Sequence, residues 1–344
     1  MESAIPQHLR QARKFPVATP AAFQPPFPAW SSRFAPLTGQ VVMAYFGVQS
    51  LQKLALNDLS PVTDVFAQAD GPLFWDGAEC VDAQGFHNCM AIAYWADVSA
   101  FDRWQTSSGF AGWWQDKSRE QGPLGWFMEV VCPTADRFET VFSSPDCPEG
   151  IGHLASHISD PILEHGYWGS TRDRLPVAQV DGLAPGGVAT GAGSGSGSAR
   201  QRVPGRDNLC LIRSGQDWSD TRDQERGLYL DDMQPVLEAG MTFLRDEGLE
   251  IGCLSCRFMQ VLDSNGLPIE KTFGLALFDD LANLERWAKT HPTHVAIFGG
   301  FMNYVQTLNF QTQLRLYHEV SVIPASAQFF EYVNCHPGSG LLSR

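Results

Sequence analysis

The chain has 344 residues, 44% hydrophobic and 18% charged, enough apolar material for one large core or for two domains. A formal net charge of -14 and a pI near 5.0 argue against nucleic acid as a partner, because phosphate contacts need clusters of Lys and Arg that do not occur here. The N-terminus M-E-S-A-I-P-Q-H carries an early acid and no apolar run, and no stretch reaches membrane-spanning length, so a cytoplasmic protein without a membrane partner is expected.

In chain order, residues 1–35 are proline-rich, and F-Q-P-P-F-P-A-W reads as an extended N-terminal arm whose Phe23, Phe27 and Trp30 pack on a neighbour. Q-V-V-M-A-Y-F-G-V-Q at 40–49 and N-C-M-A-I-A-Y-W at 88–95 predict strands, Asp97 to Trp104 a short helix, and W-F-M-E-V-V-C-P a closing strand. This order then returns. D-V-S-A-F-D-R-W at 97–104 aligns with D-L-A-N-L-E-R-W at 280–287, each copy following a short apolar strand and preceding a closing one, at 128–133 and 318–324. Two β-α-β-β-α-β units, each sheet covered on one face by helices, are the simplest α+β architecture. The expected boundaries are the arm (1–35), a first unit (36–150), a connecting segment (151–205) and a second unit (206–344). Inside the connecting segment, the Gly/Ser-rich run from Gly186 to Ala199 reads as a flexible loop. No strand precedes it and no helix follows, so it is not a nucleotide loop.

The eight cysteines are scattered, several within apolar runs, as reduced core thiols are. Cys253 and Cys256 form a single C-x-x-C in a strand-like run, with no second pair to complete a zinc site.

Two histidines of the second unit stand among apolar neighbours. Pro292 suits the first position of a helix, which puts His294 in its first turn above Ile297, Phe298 and Phe301 at helical spacing. An imidazole over such a stripe is how an axial haem ligand is presented; it also suits a turn cap or a core hydrogen bond. In L-R-L-Y-H-E-V-S-V, alternation puts Leu314, Leu316, His318 and Val320 on one face and Arg315, Tyr317, Glu319 and Ser321 on the other. His318 is then either a satisfied core residue or a pocket acid/base. The first unit has Met128 at the position of His318 and Ala111 near that of His294, and a pair confined to one copy points to chemistry rather than scaffold.

Several segments in order resemble one family: P-P-F-P-x-W at 25–30, Q-V-V-M-x-Y-x-G-V-Q at 40–49, R-F-E-T at 137–140 and E-H-G-Y-W-G-S-x-R-D-R at 164–174. They continue with L-I-R-S-G-Q-D-W at 211–218, T-H-P-T-H at 290–294, L-R-L-Y-H-E-V-S-V at 314–322 and Y-V-N-C-H-P at 332–337. The chain resembles the haem-containing aldoxime dehydratases, which convert an aldoxime into a nitrile and water. The resemblance implies two tandem ferredoxin-like units in a dimeric α+β barrel-type fold, a homodimer, and haem b that is ferrous when active. It also implies His294 as the proximal iron ligand, with Ile297, Phe298 and Phe301 beside the cofactor, and His318 as the distal acid/base. Ser214 would hold the oxime hydroxyl, Arg174 would orient it or the haem edge, and Glu139 would keep His318 protonated. The other readings such a site allows are a haem-binding sensor or carrier and a peroxidase-like enzyme on the same scaffold. The Gly/Ser-rich run, Leu175 and residues 51–85 depart from the family pattern, and are expected to shape the substrate pocket or its entrance.

Overall fold

In the computed structural model, which describes residues 1–186 and 198–342, both copies of the repeated helix begin in the same way. Asp97 accepts a hydrogen bond from Ala100 N at the head of one, and Asp280 from Asn283 N at the head of the other, so each acid is an N-cap. The tryptophan that ends each motif, Trp104 or Trp287, is buried against the sheet beneath.

Following β1 (Ser32–Arg33), the first unit runs β2 (Val42–Ser50), α1 (Ser60–Thr63), β3 (Phe74–Val81), β4 (His87–Trp95), α2 (Val98–Ser107), α3 (Phe110–Gln115) and β5 (Gly125–Val131). The first unit ends with β6 (Phe138–Phe142), and the connecting segment adds β7 (His157–Ile158), α4 (Ser170–Arg174) and β8 (Arg200–Val203). The second unit repeats the pattern as β9 (Leu209–Asp217), α5 (Asp223–Gly227), α6 (Gln234–Asp246), β10 (Cys253–Leu262), β11 (Pro268–Phe278), α7 (Leu281–Thr290), α8 (Pro292–Thr307) and β12 (Arg315–Ile323), and β13 (Gln328–Val333) follows. Residues 187–197, most of the run expected to be flexible, lie outside the described residues.

The units share one strand order, β3-β4-β2-β5 and β10-β11-β9-β12, and join through β3 and β10 in a single sheet of eleven strands, all pairs antiparallel. Each unit then lends a strand to the other: β6 pairs with β12, and β13 with β5. Only residues 132–137 link β5 to β6, which stand eight places apart in the sheet. A flat sheet would separate them by roughly 38 Å at about 4.8 Å per strand, beyond the roughly 25 Å that such a link reaches. The sheet therefore curls, bringing β5 back toward β6, and the link 324–327 between β12 and β13 spans the same eight places.

The curl sorts side chains by parity. Met43, Tyr45, Tyr94, Phe127, Leu211, Leu275 and Tyr317 point inward to a core shared by both units, while Phe46, Trp95 and Trp104 or Val320, Val322 and Trp287 pack under the outer helices. A close approach recurs in both copies. A Cβ on Gly47 would lie 1.9 Å from the ring of Phe127, and one on Gly215 2.0 Å from Tyr317, so the Y-F-G and R-S-G positions need glycine for the cross-strand aromatic to lie flat.

The arm lies along its own chain. Phe23 meets Tyr167 edge-on, Phe27 packs on His165, and Ala18 N and Thr19 N donate to Asp173. Leu175, expected near a pocket, is fully buried in the core of the second unit. All eight cysteines are free, and burial pushes the thiols of Cys80, Cys89, Cys132 and Cys335 up to about 12, so these stay protonated and inert. Among the described residues no helix is long and apolar enough to cross a membrane.

Candidate functional site

The outer face of the second unit supplies one wall. In the β12–β9 register His318 stands directly opposite Ser214, and Val141 of β6 flanks it on the other side. Glu139, two residues from Val141, shares this face by pleat parity. Ser214 is thus a mid-strand residue, and neither its hydroxyl nor the His318 imidazole is hydrogen-bonded to another described residue. Burial, then Arg174 and then His294 push His318 down to about 4, so it is neutral at pH 7 although part of its surface is open.

Arg174 and Glu139 are 4% and 1% exposed at their side chains and form a two-pronged ion pair: Nε donates to Oε2 at 2.6 Å and Nη2 to Oε1 at 2.9 Å. Nη1 also donates to Glu164 O and Ser170 Oγ, and Nη2 to Thr171 Oγ1. All five guanidinium N–H groups are engaged. This revises two expectations. Arg174 has no donor left for a substrate hydroxyl, and Glu139 spends its carboxylate on Arg174. The charged groups acting on His318 are Arg174 and His294, and both oppose protonation.

Helix α8 is the second wall. His291 caps it, with Nδ1 accepting from Thr293 N, and Pro292 opens it, so His294 falls in the first turn as expected. The His294 ring lies edge-on to Trp287 at 4.7 Å and to Trp168 at 6.0 Å. Its Nδ1 is buried without a hydrogen-bond partner of normal geometry, although the backbone of Ala288 is near enough to favour its proton; burial outweighs that pull and sets the ring at about 4. The apolar stripe divides. Ile297 packs on Gly240 of α6 and Phe301 joins the Tyr229 and Tyr304 cluster, whereas Phe298 stays 42% exposed beside Trp168. Sequence reasoning did not single out Trp168 or Trp287, although Trp168 lies inside E-H-G-Y-W-G-S and Trp287 ends the repeated motif.

These residues fit a planar iron cofactor. Among the described residues no three His, Cys, Asp or Glu side chains gather as they would around a bare metal ion. A neutral imidazole offers its lone pair without first losing a proton, and the buried Nδ1 beside a backbone carbonyl is the outer partner that metal-bound histidines use. Three turns of α8 are apolar, yet Val295 and Phe298 are 47% and 42% exposed, a surface that a flat apolar ring would cover.

Near this site His165 is 3% exposed, with neither ring nitrogen hydrogen-bonded. Burial, then Arg174, pushes it down to about 4. An unfolded histidine takes its proton near 6.5, so this group contributes full stability above that pH and loses it as the pH falls toward 4, by up to about 3 kcal/mol. His165→Phe should flatten the fall in denaturation midpoint between pH 6.5 and 4.5. A variant with the wild-type slope would show that His165 does not set it.

The chain matches the haem-containing dehydratase family over residues 44–341. It is 42% identical to the aliphatic aldoxime dehydratases of Rhodococcus globerulus and Pseudomonas chlororaphis, covering 99% of this chain and 98% of each relative. It is 33% identical to the phenylacetaldoxime dehydratase of Bacillus sp. (strain OxB-1), over 94% of this chain and 93% of that one. A crystal structure of an aldoxime dehydratase in complex with butyraldoxime superposes with a TM-score of 0.93 at 42% identity, covering 100% of this chain and 96% of the other.

Proposed function

The chain belongs to the haem-containing dehydratases and is an enzyme that dehydrates aldoximes to nitriles with haem, and on that premise we propose that His294 Nε2 holds the iron while His318 moves the proton. The observation carrying this reading is that two neutral histidines lie near enough to act on one another, His294 on an apolar half-covered helix and His318 with no hydrogen-bond partner among the described residues. When bound, ferrous haem b supplies an electron-rich iron for the aldoxime nitrogen, which weakens the N–O bond.

The protein's own residues do the rest. His318, neutral at rest, takes a proton from solvent and gives it to the hydroxyl oxygen of R–CH=N–OH; the N–O bond breaks and water leaves. The same imidazole, now neutral, takes the C–H proton as the nitrile forms, so the cycle returns its proton. A ring whose pKa burial and Arg174 hold near 4 is a strong acid once protonated, which suits a poor leaving group. Ser214, facing His318 across the strand pair, holds the hydroxyl. Glu139 fixes Arg174, and Arg174 in turn sets the field at His318. Ile297 and Phe301 back the helix, and Phe298, exposed beside Trp168, would lie against the cofactor.

We read the architecture as two tandem ferredoxin-like units, on the common strand order, closed in the manner of a dimeric α+β barrel. The four expected segments, from arm to second unit, follow the same repeat. A cytoplasmic setting is supported by the eight free thiols, and a homodimer rests on the family resemblance. Alkyl aldoximes are the proposed substrate class, since the aliphatic enzymes are the more similar relatives. Dithionite-reduced protein should yield butyronitrile from butyraldoxime, and the ferric protein little. No nitrile from short alkyl aldoximes or phenylacetaldoxime would overturn the reading and leave a haem sensor, carrier or peroxidase-like protein.

A further inference from the structure

The residues next to Ser214 and His318 point to the other face of the sheet, where an apolar core is expected. Arg213 and Glu319 stand there instead, 0% and 1% exposed. They are opposite one another in the same β9–β12 register that pairs Ser214 with His318. They do not touch directly; a chain of hydrogen bonds runs through them. Arg213 Nη2 donates to Asp76 Oδ2 at 2.6 Å and Nη1 to Tyr94 Oη at 2.8 Å, Tyr94 donates to Glu319 Oε1 at 2.7 Å, and Ile151 N donates to Glu319 Oε2 at 2.7 Å. The guanidinium lies 4.2 Å from the ring centre of Phe273.

Resting on the reading of His318 and Ser214 above, we propose that Arg213, Tyr94 and Glu319 are positioning residues that hold those two side chains opposite one another from the back of the sheet. Register is the quantity at stake, since a slip of one residue would turn His318 and Ser214 inward. Buried charges allow no such slip, because each would lose its partner in a medium that cannot solvate it. Asp76 and Tyr94 belong to β3 and β4, and Ile151 to the connecting segment. The first unit, which brings neither histidine, thereby fixes where the second unit's proton donor stands. The link to Ile151 requires Gly150: its φ is +55°, and a Cβ there would lie 2.2 Å from Glu319 Oε2.

The first unit holds an internal control. Glu129, next to Met128 in the repeat, is likewise buried on the inner face, satisfied by Arg257 at 2.7 and 2.8 Å and by the hydroxyl of Tyr332 at 2.7 Å. The inward carboxylate is thus a feature of both copies, and only in the second does a histidine stand behind it. Tyr94→Phe and Tyr332→Phe remove equivalent hydroxyls, one behind the site and one remote from it.

Both variants are to be made in the haem-loaded protein. The readouts are haem content, kcat and KM, and the C–O stretching band of the ferrous carbon monoxide adduct, which reports the polar groups facing the bound gas. Tyr94→Phe should keep its haem, lose about tenfold in kcat with little change in KM, and move the band toward that of His318→Ala, as misplacement of a catalytic group requires. Tyr332→Phe should leave kcat and band unchanged. Glu319→Gln, which keeps an acceptor for Ile151 N, serves if Tyr94→Phe does not fold. Wild-type kcat and band in Tyr94→Phe, or equal changes in Tyr332→Phe, would overturn the proposal while an inactive His318→Ala leaves the site intact. Wild-type turnover in His318→Ala would overturn both.

Discussion

His318→Ala should fold, bind haem at full stoichiometry and lose about 10²- to 10⁴-fold in kcat, the usual contribution of general acid and base catalysis. The expectation of a folded variant follows from its surroundings. The imidazole makes no hydrogen bond to another described residue, so its removal orphans nothing. Glu139 and Arg174 keep one another, and the β12 backbone keeps both its ladders. The loss in rate follows from chemistry: hydroxide is a poor leaving group, and the other candidate donor, Arg174, is held at all five N–H groups. Steady-state kinetics on the reduced variant, with haem quantified in the same sample, checks this. A kcat within threefold of wild type would remove His318 from the proton transfer.

His294→Ala should fold but retain little haem. His294 stands in the first turn of α8 with its Nδ1 buried, and the variant loses the imidazole proposed to hold the iron. The helix itself should survive, because His291 caps it and Pro292 opens it independently of residue 294. Its uncovered face, with Val295 and Phe298, should then make the variant less soluble than the wild type. The Soret absorbance per polypeptide after reconstitution with haemin is the measure. Full absorbance in His294→Ala would take the iron away from this helix.

Much of this was legible from local pattern. Alternation alone places His318 with Val320 on the helix-covered face, Pro292 places His294 in the first turn, and the repeated D-x-x-x-x-x-R-W announces two capped helices over strands of one order, although these join in one sheet rather than two. What local pattern does not carry is pairing across the chain. Glu139 reads as a solvated strand residue and Arg174 as a surface charge until β6, at the end of the first unit, is seen to add itself to β12 of the second and bring the pair together beneath α4. The exchange of β6 and β13 between units is of this kind, since short strands have no sequence signature for their partner. So is the inward placement of Arg213 and Glu319, which parity predicts but which composition reads as solvent-facing. The apolar stripe of α8 is continuous in sequence; packing divides it, because Ile297 meets α6 while Phe298 faces Trp168.

The most direct test of the haem site is an anomalous-scattering map at the iron absorption edge from crystals of the haem-loaded protein. The account predicts a single iron peak at bonding distance from His294 Nε2, with the His318 imidazole facing it across the open coordination position. Iron bonded to any other side chain, or placed with His318 on the same side as His294, would contradict it.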